Sequence, residues 1–140
     1  MATKYQNILP DTEENSFLFA LSTHEKAVKL VWTINRDTPL NFRRTEDFIL
    51  HRNQKAYHFI QYVFADDMHE IQYILLKNQC DGAHLIPELK IIPYIIQVIY
   101  NESIPAKKIF SLLNKPEAGQ LCFEIKPDQL KPVSRNLLNL

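Results

Sequence analysis

The sequence predicts an α+β fold: an antiparallel meander sheet carrying two helices in a single domain. Three observations predict it. The apolar segments follow the order β-α-β-β-β-β-α-β, with short polar links through the middle that suit hairpins and leave no room for parallel crossovers. Tyr94 to Tyr100 is the most β-branched run of the chain, with Gln97 its one amide, and so reads as a strand covered on both faces and central in its sheet. The chain has 140 residues, 46% of them hydrophobic, and one domain of that length buries ~68% of its unfolded surface without covalent staples.

Residues 1–15 are polar, with Pro10, Asp11, Glu13 and Glu14, and show neither periodicity, which predicts a loose N-terminal arm. The domain proper then runs over 16–126. Phe17, Phe19 and Leu21 alternate with Leu18, Ala20 and Ser22, a first strand. Ser22-Thr-His-Glu25 has the form of a capping box, so a helix should start there. Ala27, Val28, Val31 and Ile34 keep helical spacing, with Leu30 and Trp32 flanking, and Pro39 should stop the helix near Asn35 to Thr38.

Leu40 to Leu50 reads as a strand with a charged middle, ending in the polar turn Arg52-Asn-Gln-Lys55. Ala56 to Ala65 reads as one strand apolar on both sides, with Tyr57, Phe59 and Val63 against Ile60, Tyr62 and Phe64. After the turn Asp66 to His69, Glu70 to Lys77 returns as another strand. Pro93 gives no N–H to a ladder, so the central strand should begin just after it, and Leu85 to Lys90 should be a loop pinned by apolar side chains. Ser103 and Pro105 open a second helix whose inner stripe is Ile109, Leu112 and Leu113. Leu121, Phe123 and Ile125 alternate with polar neighbours, a half-exposed last strand, and 127–140 reads as a short docked tail.

Composition limits function. Lys plus Arg equals Asp plus Glu at 16 each, so no net field steers the chain to nucleic acid or to anionic lipid, and neither is an expected partner. The apolar run Ile91 to Ile96 is far shorter than the ~20 residues of a membrane span. Two cysteines, Cys80 and Cys122, and a start without an apolar leader core point to a reducing cytoplasm. With Gly82 and Gly119 as the only glycines, no phosphate-binding loop, dinucleotide fingerprint or nucleophile elbow can be written, and no cofactor is expected.

The chemically suggestive clusters each have a plainer reading. Asp66, Asp67, His69 and Glu70 are metal-ligand types, but they sit at one hairpin tip, where solvated charge is the rule. Cys80 and His84 lack the second pair a zinc site requires, and His58 has no nucleophile beside it in a short motif. No catalytic or metal residues are assigned. Glu88 differs, since a carboxylate after Pro87 and among Leu85, Ile86 and Leu89 must turn outward or find partners. It is either an acceptor at the lip of a pocket, with Tyr94 and Trp32, or a carboxylate that takes N–H groups and fixes its loop; the second is favoured. Glu88, Tyr94 and Trp32 are the candidate binding residues.

The same segment, Ile86-Pro-Glu88 followed by Tyr94, resembles the signature of an uncharacterised bacterial family named for an IPExxDY motif, with Pro93 standing where that name leads one to expect Asp. Phe17 to Ser22, Lys29 to Asn35, Leu40 to Arg43 and Ile71 to Asn78 resemble that family's succession of strand, helix and strands, so the resemblance covers about residues 15–100. It implies an architecture and brings no activity.

The expected function is a non-enzymatic cytoplasmic binding or assembly module that contacts protein through aromatic strand faces. The rivals are a small-molecule binder with its pocket between sheet and helices, and a small enzyme with titratable groups converging in a cleft. A homodimer is expected, because two helices of about 12 residues roof one face of four strands and leave the other bare. Cover of that face by the chain's own arm and tail is the monomeric alternative, and an unidentified protein is the other partner considered.

Overall fold

The computed structural model describes residues 15–101, 106–114 and 121–138. The elements in chain order are β1 (Asn15–Ser22), α1 (Ala27–Asp37), β2 (Arg43–Arg44), β3 (Phe48–Arg52), β4 (Lys55–Phe59), β5 (Gln61–Asp66), β6 (Ile71–Lys77), β7 (Gln79–Cys80), β8 (Ala83–His84), β9 (Tyr94–Tyr100), α2 (Ala106–Leu113), β10 (Leu121–Ile125) and α3 (Pro132–Leu137). The fold is α+β. One six-stranded sheet in the order β10-β1-β9-β6-β5-β2 is antiparallel throughout, with β9 inside it between β1 and β6. The ladder of β9 starts at Tyr94, and the carbonyl of Pro93 accepts the Asn78 N–H at 2.8 Å. The predicted arm, apart from Asn15, and the Ser103 cap with Pro105 lie outside the described residues.

Two strands read as continuous are each divided. The segment 40–50 becomes β2 and β3, and the segment 56–65 becomes β4 and β5, with β3 and β4 forming a separate two-stranded ribbon. The division has a physical cause in the register. Arg44 pairs with Tyr62 and Phe48 with Phe59, so Thr45, Glu46 and Asp47 face only Ile60 and Gln61. One extra residue is a β-bulge, and a bulge bends the ribbon. The corner is fastened by the Thr45 N–H to the Gln61 carbonyl (3.1 Å) and the Gln61 Nε2 to the Thr45 Oγ1 (3.0 Å). Beyond the bend, Asn53 and Gln54 at φ 50° and 64° make the left-handed two-residue turn that hairpins favour.

The bend explains how both faces of the sheet are covered. On one face α1 contributes Ala27, Leu30, Val31 and Ile34, and α2 contributes Ile109 and Leu113, packed on Phe19, Leu75, Ile96 and Val98. On the other face the folded-over ribbon brings Phe48, Leu50, Tyr57 and Phe59 onto Leu76 and Ile95, joined by Leu85, Ile86 and Ile92 and by the tail residues Leu130 and Leu138. The face expected to be bare is therefore roofed by the chain itself. The two apolar sides of 56–65 are real, and they serve two clusters: Tyr57 and Phe59 in one, Ile60, Tyr62 and Phe64 in the other.

Helix ends also differ from expectation. The Ser22 to Glu25 box does not form; the Glu25 N–H donates to Thr23 Oγ1 at 3.2 Å, α1 starts at Ala27, and Glu25 instead pairs with Lys29 at 3.2 Å. Ser22 is the last residue of β1, opposite Leu121, and the N-cap position of α1 falls four residues later at Lys26. At the other end Thr38 closes α1, its hydroxyl donating to the Ile34 carbonyl at 2.7 Å and accepting the Leu40 N–H at 3.1 Å. A third helix, α3, shapes the tail, where a docked segment without a defined helix was expected.

Candidate functional site

The candidate site grows from a buried asparagine at the end of β6. Asn78 is 0% exposed. Its Oδ1 accepts the Ile86 N–H at 2.8 Å, and its Nδ2 donates to the carbonyls of Leu89 (2.9 Å) and Ile92 (3.0 Å). The Leu85 N–H reaches the Asn78 carbonyl at 3.0 Å. One side chain thus organises the whole 85–92 loop, which has little secondary structure of its own to bind its backbone groups. Asp81 and Gly82, at φ 48° and 81°, turn the β7–β8 hairpin that carries the chain from Asn78 into this loop. Arg52, at the end of β3, donates to the His84 carbonyl and, at 2.9 Å, to that of Leu85, locking the loop to the folded-over ribbon.

Glu88 sits on the outside of that loop, in a single 3-10 turn over Pro87–Leu89. Its Oε2 accepts the Lys131 N–H at 2.7 Å, and the Ser134 hydroxyl is a further partner. Lys131 is the N-cap residue of α3 and makes no side-chain cap bond, and a carboxylate 43 residues away in sequence takes its N–H, the donor that the N3 side chain of a capping box would take. Partial burial pushes the Glu88 carboxyl up, but these hydrogen bonds, that of its own N–H and the charge of Lys131 together hold it below the ordinary 4.5. Further along the tail, the buried Gln97 of β9 donates its Nε2 to the Leu138 carbonyl at 2.6 Å. The C-terminal segment is therefore clasped at both ends, by Glu88 and by Gln97.

The three candidate binding residues do not meet. Glu88 belongs to the loop and tail side of the sheet, whereas Tyr94 is buried in the cluster under α1, its hydroxyl donating to the Glu25 carbonyl at 2.8 Å. Burial, with the neighbouring Tyr62 and Glu25 charges, pushes the Tyr94 phenol up and keeps it a donor. Trp32 stands on the outer side of α1, 58% exposed, with the Arg36 guanidinium 4.9 Å over its ring and Val28 one turn before it. Sequence reasoning missed Asn78, Arg52 and the Asp81-Gly82 turn. The Asp-Gly pair was a legible hairpin signal; nothing local marks Asn78 or Arg52, whose partners are long-range.

The volume between sheet and helices, where a small-molecule pocket was the rival expectation, holds the fully buried side chains of Phe19, Leu30, Ile34, Leu75 and Ile96. A recess of about 240 Å³ lies instead at one end of the sheet, lined in part by Asp66, Asp67, Glu70 and Asn101. Three of its polar groups have local partners: His69 Nδ1 is 2.8 Å from Asp66 Oδ2, and Asn101 Nδ2 donates to Glu70 at 3.4 Å. Among the described residues no three His, Cys, Asp or Glu side chains are grouped to hold a metal ion, and no helix is long and apolar enough to cross a membrane.

Among the described residues the sheet's β10 edge is open. β10 pairs with β1 on one side, and among the described residues nothing pairs with its other side. Leu121, Phe123 and Ile125 share one face of it; Ile125 is buried, while Leu121 is 68% and Phe123 42% exposed. No family model matches the chain, and no curated protein matches it.

Proposed function

We propose that the protein is a non-enzymatic cytoplasmic binding or assembly module that self-associates as a homodimer. The observation that carries this reading is the pair of large apolar side chains, Leu121 and Phe123, displayed on an edge strand whose outer side is unpaired among the described residues. An exposed apolar strand edge offers a row of N–H and C=O groups together with side-chain area, which is what strand-to-strand docking uses. The polar residues best placed for chemistry support the same reading. Glu88, Asn78, Gln97 and Tyr94 all bond to main-chain groups and so hold the fold. On this reading the segment that resembles the IPExxDY signature is a structural clasp for the tail. Sedimentation of the full chain at micromolar concentration tests the proposal: a species twice the 16.5 kDa chain is expected, and a clean 16.5 kDa species with no partner bound overturns it.

A further inference from the structure

We propose that two copies of the chain join along β10, antiparallel about a two-fold axis through Phe123, so that the six-stranded sheet continues into a second copy of itself. This rests on the self-association proposed above and names its surface and register. The two edges of the sheet are built differently. The opposite edge is made of β2, two residues long and both exposed arginines, Arg43 and Arg44, followed by the end of β5, which β2 leaves uncovered and which closes on Asp66; this is the short and charged construction that resists pairing. The β10 edge is five residues long and contains no Lys, Arg or Pro. Its single charge, Glu124, is paired in cis with Lys126 at 3.2 Å.

Self-complementarity selects a second copy as the occupant. β10 reads Leu-Cys-Phe-Glu-Ile, with apolar residues at its first, third and fifth positions, so reversing its direction gives the same pattern. With the axis at Phe123, Leu121 stands opposite Ile125 of the partner subunit, Phe123 opposite its own copy, and Cys122 opposite Glu124 of the partner subunit. No like charges are directly across, and an aromatic pair flanked by aliphatic pairs is the favoured cross-strand arrangement. The stripe lies on the face where Ile125 already belongs to the buried cluster with Leu18 and Ala20, so pairing extends an existing core over Leu121 and Phe123. A five-residue ladder is a small interface, of the size class of weak and transient associations.

The register gives a specific experiment. Phe123→Lys and Phe123→Glu, each alone, place like charges against their own copies at the axis; each is expected to weaken dimerisation of the full chain tenfold or more in sedimentation, with an unchanged circular dichroism spectrum. Mixed in equal amounts, the two are expected to recover a dimer, because Lys then faces Glu. Val28→Lys, on the exposed side of α1, is expected to leave the dimer intact. Where a Phe123 variant loses its fold, Leu121→Lys, at the more exposed position, carries the same expectation of weakened association. A wild-type dimer that survives both Phe123 variants, or that Val28→Lys dissolves, overturns this register while self-association stands. A monomeric wild type overturns both.

Discussion

Replacing Asn78 by Leu tests whether one buried amide holds the 85–92 loop. The shapes are close, so the change removes hydrogen bonds while leaving little cavity. The Ile86 N–H loses its acceptor and the Ile92 carbonyl its donor, and among the described residues neither has another partner. The Leu89 carbonyl loses Nδ2 but keeps the Ile92 N–H at 2.9 Å. Two orphaned buried groups at roughly 1–3 kcal/mol each give a loss near 4 kcal/mol. The added apolar burial of Leu offsets about 1 kcal/mol of it, leaving a net cost of about 3 kcal/mol. That is a large share of the 5–15 kcal/mol typical of a domain, and it lowers Tm by about 10 °C at this length. Urea denaturation followed by far-ultraviolet circular dichroism measures it. Asn78→Asp adds a sign test: a buried carboxylate among carbonyls has a raised pKa, so its penalty grows as pH rises above the unfolded-state value and fades in acid. A loss below about 1 kcal/mol in Asn78→Leu, with an unchanged denaturant slope, would refute the assignment of the loop to this side chain.

Glu88→Gln keeps an acceptor but loses the charge, and is expected to cost about 1 kcal/mol at neutral pH, discounted for its exposure. Because the folded carboxyl lies below the ordinary 4.5, the gap to wild type is fully present above that value and closes as pH falls through the folded-state pKa; a gap that widens in acid would contradict the clasp. Cys122 is buried, and burial pushes its thiol up to about 12, whereas Cys80 is half-buried. One fast thiol per native chain is expected with a disulfide reagent in mildly alkaline buffer and a second only on unfolding, so two equal rates would be inconsistent with the packing. Deleting Glu46 removes the extra residue of the bulge and is expected to straighten the ribbon, uncovering Phe59 at a cost of roughly 2 kcal/mol for that side chain alone and raising binding of a hydrophobic dye. Unchanged dye binding and stability would show that the bend does not depend on the bulge.

Local pattern made the central sheet legible. The β-branched run 94–100, the alternation at 17–22 and 121–125 and the stop at Pro39 are set by chain geometry within a few residues, and each element stands where that geometry puts it. The fate of 56–65 was not legible in the same way, because two apolar sides report only that both are buried. Whether they are buried by one layer on each side of a flat strand or by a strand that folds over itself depends on a register offset of one residue against a distant partner. Glu88 illustrates the same limit at the site. Its sequence neighbours show that the carboxylate needs donors, but the donor is the N–H of Lys131, brought to it by the whole tail.

The way the faces are closed determines where a partner can dock. A six-stranded sheet with two helices on one side would leave the opposite face bare, and a partner would then have to be broad and flat. Here the bulge turns the chain's own ribbon onto that face, Asn78 and Arg52 fix the loop beside it, and Glu88 and Gln97 draw the tail across what remains. Each of these devices spends a polar side chain on main-chain groups, and together they move the unsatisfied apolar surface from a face to a line. A line of backbone groups and alternating side chains is matched by another strand, not by a flat surface. On the proposal above the contact falls to β10, because the opposite edge consists of the short, charged β2 and the end of β5 at Asp66.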